Sequence, residues 1–566
     1  MKGNGAALVF MGPVNELIAA SRGEIEVDLL LIGAEVADLF SGEMRRTDVA
    51  VHKGWITGYD CASAKDVLEL DGSILAPGFI DGHLHIESSM VTVPQYAKAV
   101  VPLGTTTVIV DPHEIANVWG EAGIRYILES SRDVPLNVYA MLPSSVPATD
   151  LETAGARLDA GALAGLWNEK GVLGLGEVMN FPAVLSREPD VMKKIAQAKG
   201  KPVDGHAPGL TGRDLAAYIM AGIRSDHECT TLSEAREKLC MGMYIMLREG
   251  SAAKNLRDLL PLVTTKNAHR FIFVSDDKNP ADILKEGHID SMVRAAIKQG
   301  LDPIIALRIA SQNAAQYFGL TDLGAIAPGY RADIAVLDCL EHPVATKVIK
   351  DGSVVAEDGR FKARMAPFAS IDRRSMNVGT LGPGSFEIRA CQGPARVIGV
   401  VPHQIITRSL FLSPAKKDGL VVSDMERDIL KIAVVERHRA TGNVGLGLVQ
   451  GFGLSRGAIA TSVAHDSHNI VAVATSDREM LACVQAVRQM GGGLAVVDGE
   501  KVQACLPLPI AGLISEMEMQ DVADGISSCI DAATELGCKL EDPFMTLSFL
   551  SLPVIPELKL TDRGLV

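Results

Sequence analysis

The sequence lacks several features that would have assigned it to familiar classes of protein. Its nine cysteines are odd in number and contain no C-x-x-C pair, which argues against a disulfide framework or a structural zinc site and fits a reducing compartment. No stretch approaches 18 uninterrupted apolar residues, so no membrane span is expected. The N-terminal stretch lacks the basic start and apolar core of a signal peptide. These absences predict a cytoplasmic protein.

The chain also lacks an excess of positive charge. Its formal net charge is −15, and no run of lysine or arginine rises above ordinary surface scatter, so nucleic acid is excluded as the expected partner. Apolar residues make up 47% of the chain and charged residues 22%, which supplies material for buried cores and excludes disorder. The length predicts three to four domains, or fewer if one is a large barrel. A small uncharged or cationic ligand suits this composition.

The middle of the chain contains eight short apolar runs, each ending in polar or charged residues. Stretches with helix-like apolar spacing lie between them, including 96–102, 121–130, 191–199 and 212–220. Strands that alternate with helices pair in parallel, and eight repeats predict a closed TIM-like (β/α)8 barrel. The alternative is an open doubly wound sheet, but no G-x-G-x-x-G follows the first strand. The eight runs span 79–85, 106–111, 136–142, 172–177, 202–206, 223–227, 244–248 and 271–276.

The segments on either side of the barrel have a different pattern. Short strands joined by glycine-containing turns precede the barrel and return after it, which predicts one small β-sandwich built from residues 1–77 and 325–384. The barrel itself is assigned to residues 78–324. Strand-like runs and helical stretches follow, so residues 385–566 are predicted to form a separate α/β domain.

Metal-ligand residue types collect at the ends of the predicted barrel strands. His83 and His85 are two residues apart on the first strand, so both imidazoles point to the same face. The active site of such a barrel lies at the carboxyl ends of its strands. One H-x-H pair is a weak signal, but six metal-capable side chains at one mouth are difficult to explain as packing. The other four are Glu177, His206, His227 and Asp276, at the ends of the fourth, fifth, sixth and eighth strands.

This order of ligands resembles the amidohydrolase superfamily, and within it the adenine deaminase family. The likeness covers nearly the whole chain and includes the C-terminal motif Ala464-His-Asp-Ser-His-Asn469. Many two-metal members of the superfamily have a carboxylated lysine after the fourth strand, whereas this sequence has Glu177. That difference weakens the hypothesis that the chain hydrolyses a cyclic amide. The resemblance rests on Gly82-His-Leu-His-Ile-Glu-Ser-Ser89, Asp111-Pro-His-Glu-Ile-Ala-Asn117, Gly174-Leu-Gly-Glu-Val-Met-Asn180, Asp204-Gly-His-Ala-Pro-Gly209, Ser225-Asp-His-Glu-Cys-Thr230 and Ser275-Asp-Asp-Lys278.

The resemblance implies a binuclear metal centre that converts adenine to hypoxanthine and ammonia in purine salvage. His83, His85 and Asp276 are expected to hold one divalent ion and His206 and His227 the second, with Glu177 bridging. Nitrogen and oxygen ligands suit manganese, iron or zinc, and the family likeness favours manganese. A hydroxide held by the metals would attack C6 of adenine.

Two carboxylates are candidates for moving protons in that reaction. Asp276 can take the hydroxide proton and return it to the leaving nitrogen; its alternative role is a helix cap. Glu228 can protonate the purine ring, although neighbours on a strand face opposite ways, and it can equally be a structural carboxylate.

Several further residues are candidates for substrate contact. Asp111, His113 and Glu114 follow the second strand, where they either hold the purine or form a helix N-terminus. Ser89 either contacts substrate or caps the next helix. The motif at 465–469 is either an exposed turn or a loop that closes the barrel mouth.

Two other functions stay open at this level. The first is an amidohydrolase acting on another aminated heterocycle or a cyclic amide, and the second is a catalytically inactive barrel used for binding. We expect a homodimer that binds a purine base and neither nucleic acid nor membrane.

Overall fold

The computed structural model describes residues 14–60, 63–366, 368, 375–402 and 404–566. The N-terminal stretch 1–13 and Cys61, which contributed to the predictions above, lie outside the described residues. The eight described cysteines are all free thiols. Within the described ranges, no helix is both long enough and apolar enough to cross a membrane.

Eight parallel strands form the barrel, and all eight were predicted from the sequence. The first five and the last three pair as two parallel sheets. The backbone N–H of Arg224 joins them by donating to the carbonyl of Val203 at 3.1 Å, and the N–H of Asp276 closes the ring on His83 at 3.0 Å. The strands are Phe79–Leu84, Thr105–Val110, Asn137–Leu142, Val172–Val178, Val203–Gly205, Ser225–Asp226, Tyr244–Arg248 and Phe271–Val274.

Helices surround the barrel because each has one apolar stripe to bury. In Ile289–Lys298 the buried residues Ile289, Met292, Val293 and Ala296 recur at helical spacing. The four predicted helices are present, shifted by up to three residues. The α-helices of this region are Val93–Val100, His113–Trp119, Glu121–Ser130, Ala160–Leu163, Phe181–Ser186, Pro189–Gln197, Gly212–Met220, Leu232–Cys240, Leu256–Leu259, Pro280–Glu286, Ile289–Lys298, Pro303–Ile309 and Gln312–Phe318.

The two segments that flank the barrel share one sheet. Ile334–Leu337, which follows the barrel, pairs antiparallel with Ile74–Pro77, which precedes it. This seven-stranded sheet packs on a four-stranded sheet across a core that includes Leu31, Val51 and Val336, as a β-sandwich does. The remaining strands are Val27–Ile32, Glu35–Asp38, Glu43–Arg46, Val49–His52, Trp55–Tyr59, Ala64–Glu69, Ala345–Lys350, Ser353–Glu357 and Arg360–Phe361.

The C-terminal domain is built on an eight-stranded sheet that is mostly antiparallel, a pairing that the sequence pattern did not predict. Side chains alternate across a strand, so Ala433 and Val435 pack under helix Asp477–Gln489 while Ile432 and Val434 face the other way, toward the core that includes helix Met519–Glu535. The sheet strands, in chain order, are Ala395–Val400, Thr407–Leu412, Ile429–Val435, Val444–Gln450, Ala458–Thr461, Ile470–Ala474, Gly493–Asp498 and Lys501–Pro507. Smaller elements are Ile388–Arg389, Ala415–Lys417, Leu420–Val422, Pro543–Phe549, Leu560–Thr561 and Gly564–Leu565.

The C-terminal domain is hydrogen-bonded to loops at the mouth of the barrel. The buried carboxylate of Asp562 accepts from the backbone N–H of Thr153 at 2.8 Å and from its hydroxyl at 2.7 Å. The side-chain amide of Asn469 donates to the carbonyl of Thr153 at 2.9 Å. Ser515 exchanges backbone bonds with Met90 and Thr92 after the first barrel strand. These contacts place the domain over the carboxyl ends of the barrel strands.

The close approach of the fourth and fifth barrel strands leaves no space for a side chain at Gly174. A Cβ there would lie 2.2 Å from the backbone carbonyl oxygen of Pro202, which cannot move without disturbing the barrel. We expect Gly174→Ala to lower the free energy of unfolding by about 1–3 kcal/mol, as other overpacked cores do. Denaturant unfolding checks this, with Gly165→Ala as the control because a Cβ at that exposed position meets nothing within 4 Å. Equal stability of the two variants would contradict the prediction.

Candidate metal centre

The first barrel strand directs two buried imidazoles toward the mouth. The Nδ1–H of His85 donates to the backbone carbonyl of Asp111 at 2.9 Å, which leaves its Nε2 facing the site. Such a bond on the other ring nitrogen fixes the tautomer of a ligating histidine. His83 is 1% exposed, and its Nε2 has no hydrogen-bond partner among the described residues. Buried polar atoms are nearly always paired, so this nitrogen is placed as a ligand atom would be.

Glu177 lies between two pairs of imidazoles. Its Oε1 is 3.3 Å from His85 Nε2 and 4.0 Å from His83 Nε2. Its Oε2 is 2.6 Å from His206 Nδ1 and 3.2 Å from His227 Nε2. Burial alone would raise the pKa of Glu177, but His206 and the other imidazoles hold it well below its usual range. The carboxylate therefore presents one oxygen to each pair.

Asp276 follows the eighth strand with a left-handed backbone, at φ 54°. Its Oδ1 lies 3.2 Å from His85 Nε2 and 3.7 Å from His83 Nε2. Its Oδ2 accepts a hydrogen bond from Arg248 at 2.6 Å. Burial would raise the pKa of Asp276, but the guanidinium of Arg248 holds it well below its usual range.

Arg248 is a site residue that the sequence reasoning missed. It donates to Oδ2 of Asp276, the predicted proton carrier, and also pairs with Glu228. Arg248 ends the seventh barrel strand, so the rule that found the six ligands could have found it. A guanidinium has no acceptor atom with which to bind a metal ion, so a search for metal-ligand residue types does not select it.

Glu228 faces the same cavity as its neighbour His227, contrary to the strand alternation used above. The sixth strand ends at Asp226, so alternation no longer applies to the two residues that follow. Glu228 Oε1 lies 3.4 Å from His227 Nε2 and 3.7 Å from His206 Nδ1.

A further group of imidazoles joins the barrel to the C-terminal domain. His113 Nδ1 lies 3.6 Å from Glu177 Oε1, and its Nε2 lies 3.3 Å from Glu114 Oε1. Glu114 also pairs with His465, at 2.7 Å, and with His468. Burial would lower the pKa of His465, but Glu114 raises it to about 9, whereas burial lowers the pKa of His468 to about 4. Of the two C-terminal histidines, His465 is therefore the one favoured as a charged partner of Glu114.

Two residues predicted to contact substrate do not line the cavity. The Ser89 hydroxyl donates to the carbonyl of Ile86 at 2.6 Å within a short 3-10 turn. Asp111 accepts the backbone N–H of Glu177 at 2.9 Å and so holds that residue from beneath. The Ser89 bond closes within its own turn, and the Asp111 bond joins the loop after the second barrel strand to the fourth strand.

The ligand atoms open into a cavity of about 610 Å³. Barrel residues form its floor and walls, and the C-terminal domain supplies its roof, so the motif at 465–469 is buried at the mouth rather than an exposed turn. His465 lies flat against Phe549, with ring centroids 4.9 Å apart. The roof residues are Ile405, His465, Asp466, Phe549, Leu552, Val554 and Ile555.

The donor set fits divalent cations. Several groups of three donors each have ligand atoms within 4.8 Å of one another. All are imidazole nitrogens or carboxylate oxygens, the ligands typical of zinc, iron and manganese. The groups are His83 with His85 and Asp276, His83 with Glu177 and His227, His85 with His113 and Glu177, and His206 with His227 and Glu228.

The pairing of Glu114 with the C-terminal histidines predicts a large loss of stability in Glu114→Gln. Removing one member of a buried ion pair leaves the other charge uncompensated, which costs about 3–5 kcal/mol. Denaturant unfolding of the variant measures this. The control is Glu121→Gln, which removes an exposed pair with Arg125 and is expected to cost less than about 1 kcal/mol. Similar losses in both variants would show that Glu114 does not secure the domains.

Comparison with known proteins agrees with the two-part architecture. Residues 74–363 match the amidohydrolase family, and residues 404–566 match the adenine deaminase C-terminal domain. The amidohydrolase match implies that the chain binds divalent metal.

Curated relatives match over nearly the whole chain. The chain is 51% identical over 555 residues to an adenine deaminase of Desulfatibacillum aliphaticivorans, covering 98% of this chain and 97% of the relative. It is 50% identical to adenine deaminase 2 of Carboxydothermus hydrogenoformans, covering 98% of both chains. An adenine deaminase of Methanothrix thermoacetophila is also 50% identical, over 98% of this chain and 97% of its own. The chain belongs to the adenine deaminase family.

Proposed function

We propose that this chain hydrolyses adenine to hypoxanthine and ammonia. The observation that carries the proposal is the convergence of Glu177 and Asp276 with four imidazoles at the floor of one cavity, in a chain of this family. Water enters the reaction and ammonia leaves, so the protein has to move protons between the attacking water and the departing nitrogen. The expected cytoplasmic location and homodimer stay predictions from the sequence.

The geometry supports two cations held by six side chains. We assign His83, His85 and Asp276 to one ion and His206 and His227 to the other, with Glu177 shared because each of its oxygens faces one pair. Manganese is the ion that the resemblance favours, with iron or zinc as alternatives. When bound, such ions would lower the pKa of a coordinated water toward neutrality and so supply a nucleophile.

Two carboxylates of the cavity are assigned to proton transfer. Asp276 is placed to take the proton of the attacking water and return it to the leaving amino group, and Glu228 to serve the purine ring. Arg248 donates to both and so fixes the orientation of the two carboxylates in the cavity. Either carboxylate must loosen its pair with Arg248 when it is protonated, so we expect the guanidinium to limit how long each holds a proton.

The apolar roof suits a planar, uncharged base. Phe549, Leu552 and Val554 come from the C-terminal domain, and Phe181 and Met179 from the barrel. Ligand pockets are mostly apolar, with a few polar groups that set orientation. Thr149, Asn180, Thr230 and Asp277 are polar residues of the wall, and the predicted substrate residues His113 and Glu114 line the same cavity. We propose that these side chains orient the purine edge.

The proposal predicts a substrate range and a metal requirement. Ammonia release from a panel of purines and pyrimidines should be seen with adenine and not with adenosine. Stripping with a chelator should abolish it, and added Mn²⁺ should restore it. Turnover of dihydroorotate, or equal turnover of adenosine, would favour another amidohydrolase function instead.

Asp276→Asn tests the proton-transfer assignment. An amide cannot accept the proton, and general acid–base catalysis typically contributes about 10²–10⁴-fold, so we expect at least that loss in turnover. The fold and at least one metal ion should be retained. The competing role as a helix cap is filled by Asn279, whose side chain accepts from Asp282.

The matched control for that variant is Asp282→Asn, on the adjoining helix, which is expected to keep normal turnover. Turnover and metal content are measured on the same preparations. An Asp276→Asn enzyme that keeps more than about a tenth of the activity at full metal occupancy would remove Asp276 from the proton path.

A further inference from the structure

A cluster of three charged side chains lies behind the loops that follow the fifth and sixth barrel strands. It consists of Asp226, at the end of the sixth strand, with Glu234 and Lys238 from helix Leu232–Cys240. Asp226 and Lys238 are fully buried, and Glu234 is 8% exposed. None of the three lines the cavity, so the cluster has no direct part in holding substrate.

Asp226 binds both loops through its two oxygens. Its Oδ1 accepts the backbone N–H of Ala207 at 2.8 Å, in the loop after the fifth strand. Its Oδ2 accepts the N–H of Glu228 at 3.1 Å, in the loop after the sixth.

Glu234 repeats this arrangement further along the same two loops. Its Oε1 accepts the backbone N–H of Gly209 at 2.8 Å, and its Oε2 accepts the N–H of Thr230 at 3.2 Å. Each carboxylate therefore bonds one backbone amide from each loop.

Lys238 joins the two carboxylates. Its ammonium donates to Asp226 at 3.0 Å, to Glu234 at 2.7 Å and to the carbonyl of Ala207 at 2.6 Å. These three acceptors use all three of its protons. Without this cation, two buried carboxylates would face each other unpaired, which buried sites do not tolerate without movement or protonation.

The residues adjacent to these anchors are the ligands assigned to the second cation. His206 precedes Ala207, and His227 follows Asp226, so the cluster fixes the two loops from which both imidazoles project. His206 Nδ1 and His227 Nε2 lie 3.3 Å apart. A change in loop separation would act directly on that distance.

We propose that Lys238, together with Asp226 and Glu234, is a positioning clamp that sets the separation of His206 and His227 and thereby the affinity for the second cation. This inference rests on the proposed metal centre. Side chains that orient ligands in this way typically alter metal affinity by 10–100-fold when they are changed. The clamp does not hold His83 or His85, so the first cation should be spared.

Lys350 provides a matched control. It is also a buried lysine, 5% exposed, and its ammonium pairs with Asp333 at 3.1 Å and Asp351 at 2.6 Å. It lies on strand Ala345–Lys350 of the flanking sheet, away from the metal-ligand residues. Lys350→Met thus removes a comparable buried ion cluster without touching the site.

The test is titration of the metal-free proteins with Co²⁺ in the presence of a competing chelator. The visible absorbance of the bound ion reports binding, and the melting temperature of each metal-free protein is measured separately. We expect the wild type and Lys350→Met to bind two ions alike. Lys238→Met should bind one ion normally and the second at least about tenfold more weakly.

Glu234→Gln is a milder second variant in case Lys238→Met fails to fold. A side-chain NH₂ cannot accept from a backbone N–H, so one loop loses an anchor while the helix keeps its shape, and the second ion should again bind more weakly. The clamp is overturned if a folded variant binds both ions normally. It is also overturned if the Lys238 and Lys350 variants both bind the two ions equally more weakly. A wild-type protein that binds fewer than two ions overturns the proposed metal centre itself, and with it the role given to Lys238.

Discussion

The placement of Glu177 between two pairs of imidazoles is the constraint around which the barrel mouth is arranged. A carboxylate that presents one oxygen to each pair has to be held at its backbone, because its side-chain oxygens are committed to the site. Asp111 holds its N–H, and Ser144 donates to its carbonyl. Gly176, the residue before it, allows this approach, since a Cβ there would lie 2.0 Å from Asp111. The hydrogen bonds of Asp111 thus explain why it is buried beneath the cavity rather than within it.

Carboxylates at the barrel mouth lie beside positively charged groups or imidazoles. Several carboxylates are buried within a small volume, and each has a cation or imidazole beside it: Arg248 for Asp276 and Glu228, Lys238 for Asp226, and His465 for Glu114. A buried carboxylate without a partner would take up a proton, and a protonated carboxyl is a poor metal ligand. The positive groups beside these carboxylates therefore contribute to the geometry of the site.

Much of this could be predicted from local pattern, because a barrel strand places its functional residue at its own carboxyl end. The eight strands and the six donors follow from that rule. The rule does not give the direction of the Glu228 side chain, because it assumes that the strand continues, whereas the sixth strand stops at Asp226. Ser89 was expected either to contact substrate or to cap the next helix, and its hydroxyl bonds to the carbonyl three residues before it, a partner that suits a hydroxyl equally well.

The contacts that escaped prediction join residues far apart in sequence. Glu114 and His465 are separated by 351 residues, and no periodicity within either segment indicates that they meet. The antiparallel pairing of the C-terminal sheet could not be predicted either. Apolar runs indicate that strands exist but not which strands pair. Local pattern thus locates the ligands, whereas the roof and its ion pairs require the assembled domains.

That assembly has a consequence for the barrel. Without the C-terminal domain, Glu114 would lose His465 and His468, and the ligand atoms would open to bulk water. Electrostatic interactions weaken as water enters a site, since the effective dielectric constant rises. The roof therefore does more than enclose a ligand. His465 of the C-terminal domain pairs with Glu114, Glu114 lies beside His113, and His113 lies beside Glu177, so two side chains link the roof to Glu177. The cavity belongs to both domains, although the six predicted ligands lie on one.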